Sequence, residues 1–184
     1  MWLLLATFAI GFPLFFLLGE EKPYDFGPVP DFQLLDQDEK TFRKADMTGK
    51  PAVVDFIFTR CLNICPKLTA SMAELQEKIP GDEALFVSFS VDPENDRPEV
   101  LQEYAQRFSA DQSRWRFLTG ELDQLKPIME GFQIAYKVLD EKDGVPDILH
   151  SQKFILVDSQ GHIRGFYRTD PEGVEFLLKD LKSL

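Results

Sequence analysis

Cys61 and Cys65 are the only cysteines in the 184-residue chain, and they stand in the run Phe58-Thr59-Arg60-Cys61-Leu62-Asn63-Ile64-Cys65-Pro66. Proline suits the first position of a helix, where its missing N–H costs nothing. Pro66 therefore predicts a helix start with both sulfurs at or just before it. There the helix dipole and the unpaired N–H groups favour thiolate, and Arg60 adds a cation with the same effect. A lowered thiol pKa serves a metal ligand and a redox nucleophile equally. Three chemistries compete for the pair. A structural disulfide would close a loop of about five residues, worth roughly 2 kcal/mol. A redox pair would cycle between dithiol and disulfide. A metal site would use two thiolates converging on one soft ion. A chain of this length buries a core without the first, and a strand-to-helix turn is a poor place for it.

There are two histidines, His150 and His162. His162 follows Gly161 between two apolar runs and reads as a solvated turn residue. His150 precedes the apolar run that ends at Asp158 and follows a polar stretch, Asp140 to Asp147, read as a mobile loop. If that run pairs with the strand ending near Thr59, His150 approaches the cysteine turn.

The elements that must position these residues follow from periodicity. Pro30–Leu35 and Lys40–Phe42 flank a polar turn and predict a small hairpin. Ala52 to Phe58 is apolar apart from Asp55, as in a strand covered on both faces. Lys67 to Ile79 places Leu68, Met72, Leu75 and Ile79 at helical spacing. Strand follows at Leu85–Val91, helix at Pro98–Phe108, strand at Trp115–Leu118 and helix at Leu122–Phe132. Phe154–Val157 and Ile163–Tyr167 enclose the turn Asp158-Ser159-Gln160-Gly161, and a last helix runs from about Glu172 to Leu181. The order β-α-β-α-β-α-β-β-α implies an α/β fold, a mixed central sheet with helices on both faces.

The ends and the bulk composition set further bounds. Trp2 to Gly19 carries no charged side chain and, as a helix, spans roughly 27 Å, close to the hydrocarbon thickness of a bilayer. With no basic leader region and no small-x-small cleavage site before Glu20, residues 1–19 read as an uncleaved membrane anchor rather than a removed signal peptide. Residues 20–30, containing Pro23, Gly27 and Pro28, read as a linker, and residues 31–184 as one domain. The formal net charge of −11 argues against nucleic acid, which needs clustered Lys and Arg. The acid is spread along the chain as a solvated surface.

The cysteine run resembles the F-T-x-C-x-x-x-C-P signature of the Sco/SenC family of thioredoxin-fold copper proteins. The stretch Ser88-Phe89-Ser90-Val91-Asp92-Pro93-Glu94-Asn95-Asp96-Arg97-Pro98-Glu99-Val100-Leu101 is similar to the family's S-x-D-P-x-x-D-x-P-x-x-L segment. His150-Ser151, with the following apolar strand and Asp158-Ser159-Gln160-Gly161, stands where the family has its metal-binding histidine. The resemblance covers about Asp31 to Leu184. It implies a thioredoxin-like domain behind a transmembrane helix, binding one copper as Cu(I) or Cu(II) through Cys61, Cys65 and His150. It also implies a role in maturing the dinuclear copper centre of cytochrome c oxidase, as copper donor or as reductant of that site's cysteines. The implied partners are the copper-accepting oxidase subunit, other copper chaperones and thiol reductants. The implied place is the extracytoplasmic side of a membrane, more naturally a bacterial envelope or periplasm than a mitochondrial inner membrane. Asn63 and Arg60 depart from the acidic residue and the histidine often found at those positions, which bears on thiol pKa and on the balance between chaperone and reductase.

Other classes fit less well. A thiol–disulfide oxidoreductase without copper would use Cys61 and Cys65 alone. A peroxiredoxin-like peroxidase would want a P-x-x-x-T-x-x-C loop, and Asp55 to Thr59 lacks that proline. A non-catalytic, membrane-tethered binding module fits the reactive-looking cysteine turn poorly. Asp92, just before Pro93, reads as a loop cap and not as a ligand.

Overall fold

The computed structural model describes residues 24–62, 64–134 and 152–184 in full, and the backbone of 137–142 and 145–149. The expected membrane anchor at residues 1–19 and His150 lie outside the described residues. Among the described residues no helix is long and apolar enough to cross a membrane.

The central strands are β3 (Ala52–Ile57), β4 (Leu85–Ser90) and β5 (Trp115–Thr119), adjacent and parallel. Every residue of β3 is buried, which is why the sequence there is a nearly continuous apolar run rather than an alternating one. Helices α1 (Ile64–Lys78) and α2 (Pro98–Arg107) make the crossovers between these strands, and α3 (Leu122–Gly131) follows β5. On one side β1 (Gln33–Asp36) joins β5 antiparallel and carries β2 (Thr41–Arg43) at the sheet edge. On the other, β8 (Lys153–Val157) pairs antiparallel with β3 and carries β9 (Ile163–Arg168). The seven-stranded order is β2-β1-β5-β4-β3-β8-β9. Helix α4 (Pro171–Leu181) packs on β9. The mixed sheet and the helix order agree with the sequence expectation.

Three details differ from it. A second, two-stranded sheet, β6 (Lys137–Lys142) with β7 (Val145–Leu149), occupies the stretch read as a mobile loop. Helix α1 begins at Ile64, so Pro66 is its third residue rather than its first; the proline still falls among the first-turn positions whose N–H groups have no intrahelical partner. Residues 26–29, placed in the linker, are tied to the sheet: Phe26 N donates to Ile163 O at 2.9 Å, Val29 N to Gly161 O at 2.9 Å, and Val29 is buried.

The core between sheet and helices is aromatic. Phe56 stacks on Phe89 at 5.2 Å and Phe132 meets both rings at 5.5 and 5.6 Å. Trp115 stacks on Phe117 at 5.1 Å and donates its indole N–H to Ser88 Oγ at 3.0 Å. Rings of this size contribute about 1.5–3 kcal/mol each on burial. In the turn between β8 and β9, Gly161 takes φ 81°, and Asp158 Oδ1 accepts from Gln160 N and His162 N at 2.9 and 2.8 Å. His162 is partly exposed and its Nδ1 lies 3.1 Å from Asp25, consistent with a solvated turn residue.

Candidate metal and redox centre

The parallel pairing of β3 and β4 sets Ile57 beside Ser90, so the loops leaving the two strands emerge side by side. Val91 N donates to Ile57 O at 2.9 Å. The chain then turns, with Cys61 N donating to Phe58 O at 3.3 Å, and enters α1. Cys65, four residues after Cys61, donates its backbone N–H to Cys61 Sγ at 3.4 Å. The two thiols thus stand one helical turn apart at the first turn of a helix, the geometry the sequence spacing anticipated.

They are not equivalent. Cys61 is half-buried, Cys65 fully buried, and both are present as thiols. Cys65 lies on the face of α1 that carries Leu68, Met72 and Leu75 into the core. Burial pushes its thiol well above the ordinary value, against a hydrogen bond with the Phe58 backbone; the nearby charges of Cys61 and Asp55 push the same way as burial. The sequence argument that the helix start lowers both thiol pKa values is therefore corrected for Cys65. Desolvation of a thiolate outweighs the helix dipole there, because the dipole supplies only a fraction of a unit charge.

The other correction concerns Arg60. Its Nε and Nη2 both donate to Asp92 Oδ2, each at 2.9 Å. The cation assigned to thiol activation is already engaged by a carboxylate. In the loop after Asp92 it is the backbone carbonyl, which any residue supplies, that accepts from Asn95 N at 3.1 Å and Asp96 N at 2.9 Å, while the carboxylate holds Arg60.

Sequence reasoning missed two acids. Asp96 is fully buried and takes Thr59 N at 3.1 and 3.3 Å, the Thr59 hydroxyl at 2.5 Å, the Ser90 hydroxyl at 2.6 Å and Asn95 Nδ2 at 3.0 Å. Burial raises its pKa and these hydrogen bonds oppose the rise. Asp55, in the middle of β3, is fully buried, and neither carboxylate oxygen makes a well-formed hydrogen bond. Ser88, level with it in the parallel register, offsets little, and burial pushes the carboxyl up to about 7. Beneath the cysteines, Thr69 of α1 and Tyr104 of α2 join their hydroxyls at 2.8 Å.

The expectation for His150 had a testable half. Val54 pairs with Ile155 and Ala52 with Val157. Continued, this register brings Lys153 level with Phe56, so β8 starts at the end of the sheet where β3 delivers the cysteine turn. His150 itself is outside the described residues. In chemical terms the site offers two sulfur donors, one accessible and one shielded, in a framework of buried hydrogen bonds. Such a pair suits a soft metal ion or thiol–disulfide exchange.

Comparison with known proteins places these features. The sequence profile of the SCO1/SenC family matches residues 21–184. The chain is 32% identical over 160 residues to a SCO1 protein homolog of Bacillus subtilis, covering 84% of this chain and 81% of that protein. The fold is similar to that of BsSco, a member of the Sco family of cytochrome c oxidase assembly proteins with a disulfide switch. There the TM-score is 0.75 at 30% identity, over 89% of this chain and 95% of the other. Copper-bound ScoI of Bradyrhizobium japonicum shares the fold with a TM-score of 0.75 at 24% identity, over 85% of this chain and 99% of the other.

Proposed function

Since the chain belongs to the SCO1/SenC family, we propose that it is a copper-binding assembly protein for cytochrome c oxidase, holding one copper through Cys61, Cys65 and His150. The observation that carries this reading is the cysteine pair itself: two sulfurs one helical turn apart, with Cys65 N–H directed at Cys61 Sγ. The donor set fits the ion. Thiolate suits Cu(I), imidazole also accepts Cu(II), and three protein ligands leave room for an acceptor's ligand. Copper-bound ScoI and the oxidase-assembly role of BsSco support copper and the oxidase as the context. Residues 1–19 serve as a membrane anchor and the residues after them, up to the sheet-tied stretch 26–29, as the link to the domain, which lies on the extracytoplasmic side, in a bacterial envelope. There the copper-accepting oxidase subunit is the partner, with other copper chaperones or thiol reductants upstream.

When bound, copper is the cargo, passed by ligand exchange. The chain's own residues prepare that exchange: Cys61 presents an accessible sulfur, and Cys65 gives up a proton that burial makes it hold tightly. Oxidising the pair to a disulfide removes both sulfur ligands and couples loading to redox state.

A second reading, a thiol–disulfide oxidoreductase acting on the oxidase cysteines without carrying copper, is favoured by the unequal exposure of the two thiols. One would attack and the other resolve. Oxidase maturation in cells carrying Cys61→Ser or His150→Ala separates the two. Loss in both variants supports copper delivery; loss in Cys61→Ser alone supports the reductase and overturns the three-ligand site.

A further inference from the structure

The acidic segment after β4 has no part in the ligand set, yet its side chains converge on the cysteine turn. We propose that Asp96 is the positioning residue of that turn, its buried carboxylate fixing Thr59 so that Cys61 presents its sulfur in place before copper arrives. This deepens the copper reading and rests on it.

Asp96 stands immediately before Arg97, the N-cap of α2. Acids beside a helix start ordinarily cap it. Here the helix has no side-chain cap bond, and the Asp96 carboxylate instead takes the backbone N–H and hydroxyl of Thr59, across 37 positions of sequence. Its remaining acceptor capacity is filled by Ser90 Oγ and Asn95 Nδ2, and Asn95 Nδ2 also reaches Thr59 Oγ1 at 3.1 Å. A fully buried carboxylate survives only when such donors surround it, and two of these donors belong to one residue of the cysteine turn.

That residue is well chosen. Thr59 is the second position of the turn closed by Cys61 N to Phe58 O. Fixing its backbone sets where Cys61 leaves the turn, and hence the 3.4 Å approach of Cys61 Sγ to Cys65 N–H. The next residue, Arg60, is held from the same loop by Asp92. Two consecutive residues before the first sulfur are therefore anchored to the loop that leaves β4 beside them. A ligand set held in place in advance binds without ordering its own backbone.

The test compares Asp96→Asn, Thr59→Val and Thr59→Ser with the native protein, as detergent-solubilised full chains whose thermal melting reports folding. In copper-free samples, glutathione redox buffers give the dithiol–disulfide equilibrium of Cys61 and Cys65; in reduced samples, chelator competition gives Cu(I) affinity. Because these bonds hold the turn in the arrangement that gives Cys61 Sγ the Cys65 N–H at 3.4 Å, Asp96→Asn and Thr59→Val should move the redox equilibrium at least threefold toward the disulfide, and lower Cu(I) affinity about tenfold, as loss of a hydrogen bond to a charged group does. Thr59→Ser, which keeps both bonds, should stay near native in both. An unchanged redox equilibrium in the folded variants overturns the proposal, whatever copper does. If Asp96→Asn does not fold, Thr59→Val, which removes only a hydroxyl, decides alone. Failure of the native chain to bind copper would sink the copper reading while the copper-free measurement still judges Asp96.

Discussion

Arg60, the residue before the first cysteine, spends two donors on a single oxygen of Asp92, with Nε and Nη2 each 2.9 Å from Oδ2. The Asp92 side chain is 7% exposed and that of Arg60 33%, so removing the cation strands a nearly buried carboxylate. Arg60→Ala should lower stability by about 1–3 kcal/mol, read as a fall in melting temperature. The double variant with Asp92→Ala should recover part of that loss, because the stranded charge goes too. Strictly additive losses in this cycle would mean that the pair is not coupled.

Asp55 predicts a pH dependence of stability. Its carboxyl is raised from the ordinary 3.8 to about 7 by burial. The folded chain keeps that proton up to about 7, while the unfolded chain releases it near the ordinary value. Stability from this group is therefore full below the ordinary pKa, declines as pH rises through the window up to about 7, and is flat above it. The span corresponds to at most about 4 kcal/mol. Asp55→Asn should flatten the profile in that window and melt higher than the native chain at pH 8. Parallel profiles for the two proteins would contradict the assignment.

Cys65 predicts how metal affinity follows pH. Burial holds its thiol protonated at neutral pH, and a thiolate ligand must shed that proton on binding. Cu(I) affinity should rise with pH by up to about tenfold per unit for each proton displaced, and Cys65→Ser should reduce the slope. An affinity independent of pH across the neutral range would show that Cys65 is not displaced from its proton and is no ligand.

How much of this was legible in the sequence depends on whether the cause was local. Strand β3 and helix α1 were, because burial on both faces leaves a continuous apolar run and burial on one helical face leaves Leu68, Met72 and Leu75 at their spacing. The cysteine spacing likewise gave the one-turn separation directly. The β6–β7 hairpin was not read, since Lys137–Lys142 is mostly charged and Val145–Leu149 contains Pro146, a residue that argues against a strand. The overlooked signal was Asp143-Gly144, a dipeptide typical of tight hairpins. Cys65 was misjudged because a helix start says nothing about which side faces the core. The pairs Arg60–Asp92 and Thr59–Asp96 span 32 and 37 positions. Only the side-by-side placement of β3 and β4 brings them together, and neither partner's local sequence reveals it.

The central claim is that Cys61, Cys65 and His150 together hold one copper ion. An anaerobic Cu(I) titration of the reduced protein against a competing chelator, run beside Cys61→Ser, Cys65→Ser and His150→Ala, tests it most directly. The account predicts one tightly bound copper per chain, weakened by each substitution. Absence of tight binding, or binding indifferent to His150, would contradict it and leave Cys61 and Cys65 as a redox pair.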